Sequence, residues 1–234
     1  MELIRKEIYA GDRILNLFSC YAINRNNAIE KLIRKCQVVN KEEHFRLLEF
    51  GAGKGEFLNR FKEETFFTTI AVEEDSSYRL CLSEYHEVYE KIEDVPGEID
   101  FIFLIDVLEH LKEDEYFLNT FHDKLKKGGT LFLYVPARME LYSEFDKAIG
   151  HYRRYSKKEL VEKVLKAGFQ VEECRYHDLL GYFASAIHNK LMCRKEPTAT
   201  SIQIYDKTLV PLTNFIEKGI NPPIGKSLYL KAHV

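Results

Sequence analysis

The sequence predicts a doubly wound α/β fold, a parallel sheet covered by helices on both faces, and three features carry that prediction. The first is the run Phe45-Arg46-Leu47-Leu48-Glu49-Phe50, which leads directly into Gly51-Ala52-Gly53-Lys54-Gly55. A short apolar run is how a buried parallel strand reads, and glycines straight after it allow a tight turn and close backbone approach to a ligand. The second is the alternation of strand-like and helix-like stretches that begins at residue 45, the pattern of parallel strands joined by helices. The third is Glu73, which closes the strand-like Thr68-Thr69-Ile70-Ala71-Val72 and lies 18 residues beyond Gly55. In such a sheet this acid stands at the carboxyl end of the second strand, beside the first, where it can accept both hydroxyls of a bound ribose.

Residues 1 to about 44 carry Ile29, Leu32, Ile33 and Cys36 at helical spacing with charge between them, and they read as a helical N-terminal cap. Strands follow near 45–50, 68–73, 86–90, 99–105 and 130–135, with helices at about 55–64, 75–85 and 113–127. The last of these helices sets Phe117, Leu118, Phe121 and Leu125 on one face and takes Gly128-Gly129 as its stop. From 136 to 156 the pattern breaks into an irregular, charged and aromatic segment that is too polar for core. Ser156, with Glu159 three residues on, has capping-box spacing and starts a helix that ends near Ala167-Gly168. A strand at about 169–176, helices at about 178–193 and 205–218, and a strand at 227–232 complete the chain. Residues 1–234 therefore read as a single domain: a cap over 1–44, a cofactor-binding core over 45–135, and a substrate-side segment with the closing strands over 136–234.

Composition excludes several classes. The charge balance of 34 basic and 37 acidic residues gives a net −3 with the signs interspersed, so there is no global basic field of the kind general nucleic-acid binding uses. Cys20, Cys36, Cys81, Cys174 and Cys193 are widely spaced, odd in number and without C-x-x-C, which fits a reduced cytoplasmic protein without structural zinc. No apolar stretch approaches the roughly 20 residues of a membrane span, and Met1-Glu2-Leu3-Ile4-Arg5-Lys6-Glu7 lacks a signal-peptide core.

The glycine spacing narrows the ligand. A dinucleotide fingerprint wants G-x-G-x-x-G, whereas this chain has E-x-G-x-G-x-G from Glu49, with Glu56 where the third dinucleotide glycine would stand. That form resembles the first motif of class I S-adenosylmethionine-dependent methyltransferases. Asp106-Val107-Leu108-Glu109-His110, after the apolar Ile99–Ile105, is similar to the D-V-L-E-H run of a large small-molecule methyltransferase group. Leu125-Lys126-Lys127-Gly128-Gly129 resembles the same family's L-K-P-G-G turn, with Lys127 in place of the proline. Asp146 with Gly150-His151-Tyr152-Arg153-Arg154-Tyr155-Ser156 resembles its G-H-x-R-R-Y-S block.

The resemblance covers about 45 to 177 with the motifs in order. It implies a Rossmann-like, mostly parallel seven-stranded sheet with one antiparallel strand near its end, and S-adenosyl-L-methionine as the cofactor. Gly51, Ala52, Gly53 and Gly55 with Glu49 would then hold the methionine part, Glu73 or its neighbour Glu74 the ribose, and Ile92 the adenine, while Ile105 and Asp106 touch the cofactor. His110 and Asp106 lie near the reaction by the same resemblance. Glu49 has its own physical demand, because a carboxylate inside an apolar strand must be hydrogen-bonded. His151 is the better base candidate, since an imidazole titrates near neutrality and this one sits in a polar loop. Arg153 and Arg154 suit a carboxylate or phosphate on the acceptor; Asp146 paired with either arginine equally suits a salt bridge bracing the loop.

Methyl transfer from a sulfonium needs no metal and no covalent intermediate. Alignment of the acceptor atom does most of the work, and a base is required only where the acceptor loses a proton. The reading is a methyltransferase acting on a small-molecule or lipid-linked acceptor, acidic acceptors included, with no nucleic-acid partner. Its rivals are a catalytically silent S-adenosylmethionine-binding module acting through partners and an NAD-dependent oxidoreductase. The apolar stretch at 178–193 fits core packing, an acceptor pocket, a dimer contact or a membrane-surface face.

Overall fold

The computed structural model describes residues 44–191 and 199–234; the N-terminal cap expected over 1–44 lies outside these residues apart from His44. The described residues fall into two compact units. A sheet unit holds 44–135, 158–174 and 229–234, and a helical unit holds 136–157, 175–191 and 199–228.

Seven strands form one sheet: β1 (Phe45–Phe50), β2 (Phe67–Val72), β3 (Glu87–Tyr89), β4 (Ile99–Ile105), β5 (Leu125–Pro136), β6 (Gln170–His177) and β7 (Ser227–His233). Their order is β3-β2-β1-β4-β5-β7-β6. The β1–β2, β1–β4, β2–β3 and β4–β5 pairs are parallel. Gly128 donates to the Val234 carbonyl and Val234 to that of Gly129, while Thr130 bonds His233, so β7 runs antiparallel to β5. The strand order reverses between β1 and β4, and ligands of open α/β sheets bind beyond the carboxyl ends at such a switch point. Aromatic rings fill the sheet unit's core. Phe103 stacks on Phe132 at 4.8 Å, and Phe57 lies 5.1 Å from Phe103. Helices α1 (Ser76–Leu82), α2 (Asp114–Lys124) and α4 (Lys157–Lys166) belong to this unit apart from Lys157. Phe121 of α2 packs 5.1 Å from Phe50, and buried Asp114 takes Lys163 of α4 at 2.8 Å.

Three expected elements differ. Residues 55–64 form only a 3-10 turn at Leu58–Arg60. The Leu58 N–H, which in an α-helix would bond the Lys54 carbonyl, goes instead to the Glu49 carboxylate at 3.2 Å, and Phe57, Leu58 and Phe61 are all buried. There is thus no α-helix N-terminus behind the glycine loop to supply a dipole. Helix α2 stops at Lys124 rather than at the glycines. Gly128 adopts φ +77° inside β5, where the register against β4 slips between Ile99–Leu125 and Phe101–Thr130. The expected 205–218 helix is α6 (Ala199–Ile204), a π-turn at Tyr205–Leu209 and α7 (Val210–Glu217) with Pro211 in its first turn; proline has no N–H to continue the ladder.

The helical unit also contains α3 (Glu144–Ala148) and α5 (Leu179–Leu191). Buried Asp178, at φ +65°, ties it together. Its carboxylate accepts the Gly181 N–H at 3.0 Å and the Tyr205 hydroxyl, and its carbonyl accepts the Tyr182 and Lys226 N–H groups. Glu217 accepts the Leu179 N–H at 2.8 Å and lies 3.3 Å from His177.

Candidate functional site

The glycine loop follows β1 at the switch point, and all three glycines have positive φ: Gly51 +71°, Gly53 +53° and Gly55 +74°. Two of the positions leave no room for a side chain, whereas the third does leave room. A Cβ on Gly51 would come within 2.7 Å of Val107, in the loop after β4, and one on Gly55 within 2.6 Å of Leu82. A Cβ on Gly53 would meet nothing within 4 Å, so this glycine opens onto space. The loop amides are already engaged. Gly51 and Ala52 donate to the Val72 carbonyl at 2.8 and 3.4 Å, and Gly55 donates to that of Ala52.

Gly53 donates to the Glu73 carboxylate at 2.7 Å, and the other Glu73 oxygen accepts the Asp75 N–H at 2.9 Å. Two backbone donors therefore fix this carboxylate at the end of β2, and each oxygen keeps a further lone pair for a ligand hydroxyl. The three consecutive acids divide their roles. Glu73 turns to the loop, Glu74 is exposed, and Asp75 caps α1 by accepting the Ser77 and Tyr78 N–H groups. Arg79 holds the Glu73 and Glu74 carbonyls at 2.9 and 2.6 Å and pairs with Glu90. Asp75 was readable as a cap from the two serines behind it; Arg79 gave no signal.

Glu49 is buried, and its bond to Leu58 satisfies the demand its position creates. After β4, Asp106 takes φ +54° and donates its N–H to the Tyr134 carbonyl at 2.8 Å. A non-glycine residue in that region costs about 1–3 kcal/mol and persists where the surroundings impose it, most often at functional sites. Ile105 and Asp106 are half-buried, His110 is exposed on the 3-10 turn Leu108–His110, and Ile92 is buried in another. The sheet unit thus gathers the glycine loop, Glu49, Glu73 and the start of the β4 loop, the region of Asp106.

His151 belongs to the helical unit. Its Nδ1 lies 3.0 Å from the Asp146 carboxylate, which is fully buried. Arg154 donates to the same oxygen at 2.8 Å, and the second oxygen accepts the Ser143 N–H and hydroxyl. Burial alone would raise the Asp146 carboxyl, but the His151 hydrogen bond and the Arg154 charge hold it at about 2. The Tyr142 hydroxyl donates to the His151 carbonyl at 2.6 Å. Arg154 is itself buried and braces the loop; the Asp146–Arg154 pair is the salt bridge of the two sequence readings. Arg153 lies 6.0 Å from the Tyr152 ring. Sequence reasoning missed Arg138, which has φ +69° and sets its guanidinium 5.2 and 5.8 Å from the rings of Tyr176 and Tyr182.

A family model described as a methyltransferase domain matches residues 21–174. The chain belongs to this methyltransferase family. No curated protein matches it. Among solved structures it is similar to a SAM-dependent methyltransferase from Thermotoga maritima, at TM-score 0.63 and 17% identity over 99% of this chain and 98% of that one. It is also similar to one from Archaeoglobus fulgidus, at TM-score 0.56 and 19% identity over 89% and 94%. A phosphoethanolamine N-methyltransferase from Haemonchus contortus, bound to S-adenosylhomocysteine, matches at TM-score 0.57 and 15% identity over 90% and 52%. The methyltransferase is therefore an enzyme with the Rossmann-like, mostly parallel seven-stranded sheet of that fold. Among its described residues no helix is long and apolar enough to cross a membrane.

Proposed function

We propose that this enzyme transfers a methyl group from S-adenosyl-L-methionine to a small-molecule or lipid-linked acceptor, as a class I methyltransferase of the D-V-L-E-H and G-H-x-R-R-Y-S subgroup. The observation that carries the reading is the Glu73 carboxylate, fixed 2.7 Å from the Gly53 amide beside a glycine that opens onto space. This arrangement fits a nucleoside: Glu73 accepts the ribose hydroxyls, and Gly53 lets the ligand approach the backbone without meeting a side chain. Gly51, Ala52 and Gly55 with Glu49 shape the methionine end, Ile92 with exposed Glu74 lies along the nucleoside side, and Ile105 and Asp106 border the cofactor.

The bound cofactor supplies an activated methyl group on a cationic leaving group. The protein's share is alignment and, for acceptors that lose a proton, a base. His151 is our candidate for that base. Asp146 holds Nδ1 and orients the ring, so proton exchange of the imidazole runs through Nε2. His110 and Asp106 serve as flanking polar groups at the end of β4.

Calorimetric titration of S-adenosylhomocysteine into the wild type and Glu73→Gln, with NAD as control ligand, tests the assignment. The expected result is binding to the wild type, a loss of about 1.5–3 kcal/mol in the variant, as for hydrogen bonds to a charged group, and no binding of NAD. Failure of the folded wild type to bind S-adenosylhomocysteine would overturn it.

A further inference from the structure

The helical unit carries an apolar surface that the proposed chemistry does not use. On α5, Phe183 and Ile187 are 49% and 57% exposed; on α7, Leu212 and Phe215 are 50% and 74% exposed. Each pair has i,i+4 or i,i+3 spacing and so lies on one side of its helix. The two helices pack against each other.

The charges around these residues are one-sided. Among the described residues of 179–226, both acids are withdrawn from solvent. Asp206 is 2% exposed, and the Glu217 side chain 9%. Lys190, Lys207 and Lys218 are exposed. Lys190 follows Ile187 by three residues and Lys218 follows Phe215 by three, so both flank the apolar stripe, while Glu140, exposed on the 3-10 turn that packs against α5, is paired with Arg138 at 3.5 Å.

We infer that the exposed faces of α5 and α7 dock on an anionic lipid bilayer surface. Short amphipathic helices bind in the interfacial plane when aromatic and aliphatic side chains enter the acyl boundary and lysines meet anionic headgroups. A second copy of the chain fits the face less well. A two-fold contact would bring the same lysines together from both sides, where like charges oppose association. The inference is independent of the methyl-transfer reading, because it rests on helices that hold none of the residues assigned to the cofactor.

Flotation of the full chain with vesicles tests it, using phosphatidylcholine alone and an equal mixture of phosphatidylcholine and phosphatidylglycerol. The expected result is binding to the mixed vesicles only, lost when salt rises from about 0.1 M to about 1 M. Phe183→Ser with Phe215→Ser should abolish binding, and Lys207→Glu with Lys218→Glu should lower it at least about tenfold. Circular dichroism and S-adenosylhomocysteine titration of each variant separate loss of docking from loss of fold or of the cofactor site. Absence of binding to mixed vesicles, unchanged binding in either double variant, or a dimer in solution that buries Phe215 would overturn the inference.

Discussion

The carboxylates beside the glycine loop of the sheet unit and those at the turns of the helical unit are used in different ways. In the sheet unit, ladder hydrogen bonds already fix the strands, and the carboxylates at their ends tie down neighbouring turns: Glu49 accepts the Leu58 N–H, and Glu73 accepts those of Gly53 and Asp75. In the helical unit Asp146 and Asp178 each gather several partners: Ser143, His151 and Arg154 around the first, Gly181 and Tyr205 around the second. A carboxylate that trims a pre-ordered loop can be tuned for a ligand. One that organises the loop itself is committed to structure.

Removing Asp146 should have the largest effect, because it leaves the Arg154 guanidinium buried without its counter-charge. Breaking a buried ion pair by deleting one partner costs about 3–5 kcal/mol, and Asp146→Ala should lower stability in urea by that amount. The same contrast predicts that S-adenosylhomocysteine affinity in native buffer stays near wild type, since the glycine loop proposed to hold the cofactor belongs to the other unit. Equal loss of both would break the distinction. Acid should act similarly: with its carboxyl held at about 2 against an ordinary 3.8, Asp146 stabilises above pH 4 and loses that contribution as pH falls toward 2.

Glu217 has the reverse sign. Burial, reinforced by the Asp178 charge, pushes its carboxyl up to about 7 against an ordinary 4.5, although the Leu179 N–H favours the ionised form. A raised carboxyl makes the folded state prefer the neutral acid. Stability from this group is present below pH 4.5 and falls by about 3 kcal/mol as pH rises through 7, at 1.36 kcal/mol per pKa unit. Urea midpoints at pH 5 and pH 7.5 should therefore differ in the wild type, and the part due to Glu217 should vanish in Glu217→Gln, which stays neutral. An unchanged pH slope in the variant would remove Glu217 from the account.

The sheet unit was largely legible because its signals are local. Strands β1 and β4 match their apolar runs residue for residue, and the glycine loop and Glu73 announce themselves within 25 residues. Legibility ended where a long-range bond redirected the backbone: nothing near Leu58 says that its N–H belongs to Glu49, nine residues earlier, and so the expected helix at 55–64 shrank to a single turn. In the helical unit the cluster Asp146, His151 and Arg154 was visible as a group, but its meaning depended on burial, which spacing does not encode. Arg138 was invisible for the same reason, since its tyrosine partners stand about 40 residues later.

The smallest effect on stability should give the sharpest view of the glycine loop. Gly51→Ala puts a methyl group 2.7 Å from Val107 at φ +71°, so it combines backbone strain with a clash in a packed contact. Gly53→Ala meets no atom within 4 Å and bears only the left-handed backbone cost, about 1–2 kcal/mol. Thermal denaturation should thus rank Gly51→Ala as the more damaged protein. Titration with S-adenosylhomocysteine should narrow or reverse that ranking if the cofactor lies where we propose, because the methyl group on Gly53 projects into that open space. If Gly53→Ala binds as tightly as the wild type, the open side of this glycine is not where the cofactor lies, and Glu73 reaches its ligand from another direction.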